Sequence, residues 1–254
     1  MKISEKDLII ITTGFTNEIL GSIDFLLNIP DIRRPNISIL IHQLFPPESN
    51  FTKACSEQNQ NKWLGLLSNA FKDIKQLKDK LRIFSTSSSK LQKILSNLSD
   101  TEVRALPLPY NNILNNDVRP HSNKLTLGFL GDDRYEKGLH ILLKAIKNKP
   151  IDADFIIQVI APRGYTDNKQ KELSQLICSL EERDHINFHH GKLDSKSFSD
   201  MMASCDIIVL PYHPYSYNLR VSGIFIQSQL MGKPAVVSSN TWLSEEIERF
   251  NSGV

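Results

Sequence analysis

The sequence has little of what marks several large protein classes. It contains three cysteines, Cys55, Cys178 and Cys205, which lie far apart and have no histidine at metal-ligand spacing. This pattern favours neither a disulfide framework nor a zinc site. Because chains poor in disulfides are typical of reducing compartments, we expect a cytoplasmic protein.

Long apolar runs and a strong excess of one charge are also missing. No segment approaches the roughly 20 apolar residues that cross a bilayer. The 30 Lys and Arg residues nearly balance the 28 Asp and Glu residues, which argues against a dedicated nucleic-acid surface. We therefore expect no spanning helix and no nucleic-acid partner. A peripheral contact with the inner face of the membrane would leave no such mark and stays open.

Strand-like apolar segments alternate with helical segments along the chain, which predicts an α/β fold with parallel sheets. The apolar runs are nearly continuous, as is typical of strands that helices cover on both faces. The pattern gives way to a polar, proline-bearing stretch at 107–123, where we place a linker. We expect two Rossmann-like domains, 1–118 and 119–254, the first incomplete and the second cut short, as in a fragment of a longer chain.

The elements follow from this alternation. In the first domain we predict strands at 7–14, 37–45, 81–88 and 103–109 and helices at 17–29, 62–78 and 90–98. In the second domain we predict strands at 125–130, 154–161, 186–191, 206–212 and 234–239 and helices at 137–147, 169–182, 195–203, 223–231 and 242–250.

The run GDDRYEKG, from Gly131 to Gly138, lies between a predicted strand and a helix that we expect to begin at Lys137. A helix N-terminus and two cations, Arg134 and Lys137, would then face a space of the size of a phosphate. A phosphate group needs cations and backbone N–H groups, and this turn would supply both. The alternative is a solvated turn before an amphipathic helix.

Two further positions point to a cleft. In DIIVLPYHPYSYNLRVSGIF a strand and a loop precede Ser222 and Gly223, which would open a helix and present N–H groups to an anion. His42 follows the apolar strand ISILI, where the carboxyl end of a parallel strand faces a ligand crevice. The alternative for His42 is a structural histidine.

These motifs resemble the C-terminal, donor-binding half of the glycosyltransferase family 4 (group 1) enzymes, which have two facing Rossmann domains in the GT-B architecture. In the first domain the resemblance rests on topology and on ILIHQL. It implies that a nucleotide-sugar diphosphate is held by four residues of the turn, Gly131, Arg134, Lys137 and Gly138.

The resemblance extends to other positions. It implies that backbone groups near Gly191 and Leu193, in INFHHGKLD, read the base, and that His42 lies near the transferred sugar and the acceptor hydroxyl. Three residues would approach the donor's sugar and phosphates: Arg220, Ser222 and Gly223. For Arg220 a surface ion pair is the alternative.

The chain also departs from the family. Many relatives have an arginine directly after the first glycine, where this chain has Asp132. Gln227 and Leu219 stand where relatives carry glutamates, the first holding the donor ribose and the second lying near the sugar. Gln227 can still hydrogen-bond ribose hydroxyls, although with a neutral acceptor. Leu219 cannot, so Asn218 or Arg220 would have to substitute, or turnover would be poor.

The resemblance implies a retaining hexosyltransferase of polysaccharide biosynthesis, with a nucleotide diphosphate sugar as donor and a glycan or lipid-linked acceptor. The resemblance also implies no cofactor besides the donor substrate. We expect no metal, because Asp152 and Asp154 precede a strand rather than follow it. Lys137 and Arg134 would instead stabilise the leaving diphosphate. Two alternatives remain. One is a degenerate or truncated binding module without turnover, favoured by Gln227, Leu219 and the incomplete first domain. The other is a nucleotide-sugar epimerase, which would need further carboxylates and a histidine in this cleft.

Overall fold

The computed structural model describes residues 4–14, 16–42, 57–74, 77, 79–86, 88–100, 102–106, 124–149, 151–160 and 166–254. These residues fall into two compact units. The first contains the described residues up to 106 together with Leu219–Val221, and the second contains residues 124–218 and 222–254. The predicted linker at 107–123 and the predicted boundary between residues 118 and 119 lie outside the described residues.

The first unit is a parallel sheet with helical crossovers, as the alternation predicted. Its strands, in the spatial order β1-β2-β3-β4, are β1 (Leu8–Gly14), β2 (Asn36–Ile41), β3 (Leu81–Thr86) and β4 (Arg104–Leu106). Its helices are α1 (Thr16–Leu27), α2 (Glu57–Ile74) and α3 (Ser89–Ser99). The unit's core is formed by apolar side chains of both layers, including Ile19, Leu26, Ile39, Leu67, Ile83 and Leu91.

Strand β1 differs from the expectation that helices cover both sheet faces. Its alternate residues Leu8 and Ile10 are 58% and 64% exposed. In the described part of the chain β1 pairs with β2 alone, so it is an edge strand there. The prediction of a strand buried on both faces was therefore wrong for β1, because no described element covers the face that carries these two side chains.

The second unit is a five-stranded parallel sheet in the order β7-β6-β5-β8-β9. Its strands are β5 (Thr126–Phe129), β6 (Asp154–Val159), β7 (Ile186–His190), β8 (Ile207–Leu210) and β9 (Ala235–Val237). Its helices are α4 (Leu139–Asn148), α5 (Asp167–Glu181), α6 (Ser195–Ala203), α7 (Pro214–Tyr217), α8 (Gly223–Leu230) and α9 (Trp242–Phe250).

The strand order of the second unit reverses between β5 and β8. The chain runs outward from β5 through β6 to β7 and then returns to place β8 on the other side of β5. Open α/β sheets bind ligands outside the carboxyl ends of the strands at such a reversal. The turns that follow β5 and β8 are therefore the expected place for a ligand.

Two local predictions in this unit were wrong. Lys137 ends a 3-10 helix, Tyr135–Lys137, and α4 begins only at Leu139, because Gly138 has a φ of +73° that no right-handed helix accommodates. A helical turn, α7, occurs where a loop was expected. Pro214 opens it with a preset φ, and the Asn218 N–H donates to the Pro214 carbonyl at 2.8 Å.

The other helices of the second unit begin within two residues of the predicted positions. Helices α6 and α9 have the predicted bounds, and α8 starts at Gly223 as expected. Among the residues that the structure describes, no helix combines the length and the apolar character needed to span a bilayer.

Candidate functional site

The turn from Gly131 to Gly138 lies at the strand-order reversal. Gly131 and Gly138 have φ values of +98° and +73°, which glycine adopts without steric cost. A Cβ atom on Gly138 would lie 2.1 Å from the Pro211 carbonyl oxygen, directly after β8, and one on Gly131 would lie 3.2 Å from the Ile224 side chain in α8. The turn therefore contacts both the end of β8 and the start of α8.

The two predicted cations of this turn meet on one carboxylate. The Lys137 Nζ lies 2.5 Å from Asp132 Oδ1, and the Arg134 Nε lies 2.9 Å from Asp132 Oδ2. Arg134 also contacts Glu136, with 3.0 Å between Nη1 and Oε1. Lys137 is only 7% exposed, and its ammonium lies 5.6 Å from the centroid of the Tyr212 ring, within the range of a cation–π interaction.

The charges of the turn are set by these contacts. Burial by itself raises the pKa of Asp132, but the attraction of Lys137 and Arg134 outweighs it, and the pKa of the carboxyl lies below its ordinary value. Asp132 is therefore an anion at neutral pH. Burial and nearby lysines lower the pKa of His140 to about 4, so this ring is neutral at pH 7, and Lys137 and Arg134 supply the positive charge.

Gln158 in β6 connects two of the predicted donor turns, and sequence reasoning missed it. Its side-chain Oε1 accepts a hydrogen bond from the Gly131 N–H at 2.8 Å, and its Nε2 donates to the Gly191 carbonyl at 3.0 Å. A backbone N–H only donates and a carbonyl only accepts, which fixes the orientation of the amide. The available signal was a single polar residue within the apolar strand FIIQVI.

The predicted tight turn at Gly191 is present. Gly191 has a φ of +104°, and its N–H donates to the Val159 carbonyl at 2.8 Å. Three residues further on, Asp194 caps α6 by accepting a hydrogen bond from the Ser197 N–H at 2.8 Å. Leu193 lies half-buried between the turn and the cap. Readout of a base by this backbone stays a prediction.

Ser222, Gly223 and Gln227 all belong to the start of α8. The Ser222 hydroxyl is the N-cap and accepts a hydrogen bond from the Phe225 N–H at 3.3 Å. Gly223 is the first helical residue, and Gln227 lies half-buried one turn further along. Since Ile224 of the same turn contacts Gly131, the structure brings this helix start together with the turn that carries Lys137.

The remaining predicted residues belong to the first unit. Arg220, which is half-buried, and Leu219 group with that unit rather than with the Gly131 turn, and Leu219 packs against its apolar core. His42 directly follows β2, and its Nε2 lies 3.0 Å from the Thr12 carbonyl. Because a carbonyl only accepts, Nε2 carries the proton, and in the neutral ring Nδ1 is an acceptor.

The fold is similar to that of solved GT-B glycosyltransferases. HepE from Anabaena, solved with UDP-glucose, matches with a TM-score of 0.60 at 16% identity over 93% of this chain and 61% of its own. Trehalose-6-phosphate synthase matches with a TM-score of 0.61 at 12% identity over 97% of this chain and 62% of its own. Sucrose-phosphate synthase from Thermosynechococcus elongatus matches with a TM-score of 0.53 at 11% identity over 98% of this chain and 85% of its own.

At these identities the likeness concerns the fold, and the family is shown by sequence. The model of the family "Glycosyl transferases group 1" matches residues 113–254, more than half of the chain. The chain therefore belongs to the group 1 glycosyl transferases. No curated protein matches it significantly. The chain spans 61% of the length of HepE.

Proposed function

We propose that this chain binds a nucleotide diphosphate sugar and transfers its hexose to a glycan or lipid-linked acceptor in polysaccharide biosynthesis. The observation that carries the proposal is the placement of Lys137 and Arg134 together in a glycine-bounded turn at the β5–β8 reversal. HepE, which has the same fold, was solved with UDP-glucose, and this supports a nucleotide sugar as donor.

The donor diphosphate is assigned to the Gly131–Gly138 turn. Phosphate oxygens accept charge-assisted hydrogen bonds from Lys137 and Arg134, and α4, which starts directly after Gly138, adds the N–H groups of a helix N-terminus. Gln158 keeps the Gly131 turn and the Gly191 turn together. We assign the base to the backbone near Gly191 and Leu193.

The helix α8 is assigned to the sugar side of the donor. Gln227 hydrogen-bonds the ribose hydroxyls in this proposal, and Ser222 and Gly223 approach the sugar and phosphates. Arg220, in the loop before α8, is assigned the same side. His42 is assigned to the hydroxyl group of the acceptor substrate. When Nε2–H donates to the Thr12 carbonyl, Nδ1 can accept a hydrogen bond from that hydroxyl.

The chemistry requires stabilisation of the negative charge that grows on the leaving diphosphate as the sugar becomes oxocarbenium-like. Two fixed cations in a partly buried site provide this without a metal ion. We therefore propose metal-independent transfer, and transfer with retention, a reaction for which trehalose-6-phosphate synthase was studied with bisubstrate glycomimetics. The exposed free thiol of Cys178 fits a reducing compartment, and we propose action in the cytoplasm at the inner membrane face.

Substitution of Lys137 tests the assignment. In Lys137→Ala we expect binding of UDP or GDP, measured by calorimetry on the purified chain, to weaken by about 1.5 to 3 kcal/mol, the range for a hydrogen bond to a charged group. Lys144→Ala is the matched control, because Lys144 lies on α4 in an exposed ion pair with Glu172. Equal affinities of Lys137→Ala and the parent would remove Lys137 from the diphosphate site.

A binding module without turnover is the second candidate. The specific observation in its favour is that Leu219, where relatives carry a glutamate near the sugar, packs against an apolar core. Incubation with UDP-hexoses and GDP-hexoses separates the candidates, because a transferase releases nucleoside diphosphate slowly even to water, whereas a module binds the donor and leaves it intact. Lys137→Ala supplies the background rate.

A further inference from the structure

Asp132 forms ion pairs with both cations of the Gly131 turn, and none of the roles assigned above explains them. One carboxylate oxygen contacts Lys137 at 2.5 Å and the other contacts Arg134 at 2.9 Å. Two anionic oxygens joined through one atom, each bound to its own cation, form the pattern that a phosphoryl group makes with two cations. Asp132 therefore uses the interactions that the proposed function assigns to the donor.

The three side chains differ in their freedom to move. The Asp132 side chain is 39% exposed, whereas those of Lys137 and Arg134 are 9% and 22% exposed. The Asp132 side chain borders on water although its Oδ1 is buried against Lys137, and a rotation about its side-chain bonds carries the carboxylate into solvent, where it is hydrated well. The more deeply buried Lys137, whose ammonium lies 5.6 Å from the centroid of the Tyr212 ring, has less room to move than the carboxylate.

We propose that Asp132 is an intramolecular competitor for the donor diphosphate and sets the affinity of the site. Asp132 is the carboxylate that contacts both Lys137 Nζ and Arg134 Nε, and it must leave these two donors before phosphate oxygens take its place on them. The inference rests on the proposed function, since it assigns a determinant of affinity to the same site.

The effect of Asp132 is opposite to that of a residue which only positions the two cations. A positioning carboxylate would make anion binding tighter, whereas a competitor makes it weaker. Asp132→Asn removes the charge with little change in shape and therefore decides between the two roles. Asp152→Asn is the matched control, because Asp152 lies before β6, is 90% exposed and pairs with Lys124 at 3.2 Å.

The experiment is calorimetric titration of the parent and both variants with inorganic pyrophosphate, UDP and GDP. We expect Asp132→Asn to bind pyrophosphate about tenfold more tightly than the parent, a change of about 1.4 kcal/mol, and Asp152→Asn to match the parent. Asp132→Asn should also unfold at a lower temperature than the parent without pyrophosphate and gain more thermal stability when it is added. Asp132→Ser, measured in the same way, is the second variant if the asparagine form does not fold.

The outcomes separate this inference from the proposed function. Equal or weaker pyrophosphate binding by the Asp132 variants overturns the competitor role, even if UDP or GDP binds the parent and supports the donor site. Tighter pyrophosphate binding without any UDP or GDP binding supports the competitor role and overturns the proposed function. Absence of binding of all three anions by the parent and the Asp132 variants overturns both.

Discussion

At the scale of single residues, Gln158 holds together two turns that lie far apart in sequence. Its amide satisfies a backbone donor in the first turn and a backbone acceptor in the second, and the side chain is almost completely buried. Buried backbone groups that lose their partners are costly. The amide therefore contributes both to the stability of the second unit and to the shape of the proposed donor site.

Replacing this amide by an apolar side chain of similar length tests the connection. In Gln158→Met, each of the two backbone groups loses its partner, and we expect the free energy of unfolding to fall by about 1 to 3 kcal/mol for each, measured by urea denaturation. Gln175→Met, at an exposed position of α5, is the control and should leave stability unchanged. Equal stability of the two variants would mean that Gln158 does not support the turns.

Gln227 is the residue where neutral and charged acceptors can be compared. If it bonds the donor ribose, Gln227→Glu should tighten nucleotide-sugar binding by about 1 kcal/mol, because a carboxylate accepts hydroxyl protons more strongly while its desolvation offsets part of the gain. Gln227→Leu should weaken binding in the same calorimetric assay. Weaker binding by the glutamate variant than by the parent would contradict the ribose assignment.

At the scale of elements, the start of α4 depends on the close approach of a backbone to another strand. Gly138 ends the 3-10 helix, opens α4 and lies where a Cβ atom would meet the Pro211 carbonyl oxygen. The turn that carries the cations is therefore shaped by the neighbouring strand as well as by its own sequence. This contact places Lys137 before the helix instead of in its first turn.

Substitution of two glycines with similar backbone angles measures this contact. Gly138→Ala and Gly232→Ala share the strain of a left-handed backbone, about 1 to 2 kcal/mol, since their φ values are +73° and +66°. Only Gly138 has a neighbour within reach of a Cβ atom. We expect Gly138→Ala to lose a further 1 to 3 kcal/mol or so through overpacking, measured by chemical denaturation. Equal losses would show that the approach to Pro211 is not constrained.

At the scale of the whole molecule, the described residues form two α/β units, each with a parallel sheet. The residues of the proposed site are divided unequally between them. The Gly131 turn, the Gly191 turn and the start of α8 all belong to the second unit. His42 and Arg220 belong to the first unit. The proposed diphosphate chemistry is therefore carried by the second unit and by its own cations.

The two cations of the Gly131 turn lead to a prediction for the removal of metal ions. Since Lys137 and Arg134 stabilise the leaving diphosphate in our proposal, addition of EDTA should leave the rate of donor turnover nearly unchanged. The rate is measured as release of nucleoside diphosphate, with Lys137→Ala as background. A loss of activity that Mg²⁺ or Mn²⁺ restores would show that a metal ion provides this stabilisation.

Much of the fold and part of the site follow from sequence neighbours alone. The alternation of apolar strands and helices predicted parallel sheets, because side-chain periodicity is a local property. The same holds for the glycine turn at Gly191 and for the start of α8, where a serine precedes a glycine at a strand-loop-helix transition. Local signals of this kind also located Arg134 and Lys137 in one turn after β5.

Only the tertiary structure decided which groups these residues meet. Gln158 forms hydrogen bonds with Gly131 and Gly191, which are 27 and 33 residues away in sequence. These bonds can form because β6 lies between β5 and β7 in the sheet. Leu219 packs against the apolar core of the first unit. The ion pair between Asp132 and Lys137 was not predicted either, although the two residues are only five positions apart. Gly138 has a left-handed backbone beside Pro211 and keeps Lys137 out of α4. The Lys137 ammonium therefore contacts the Asp132 carboxylate.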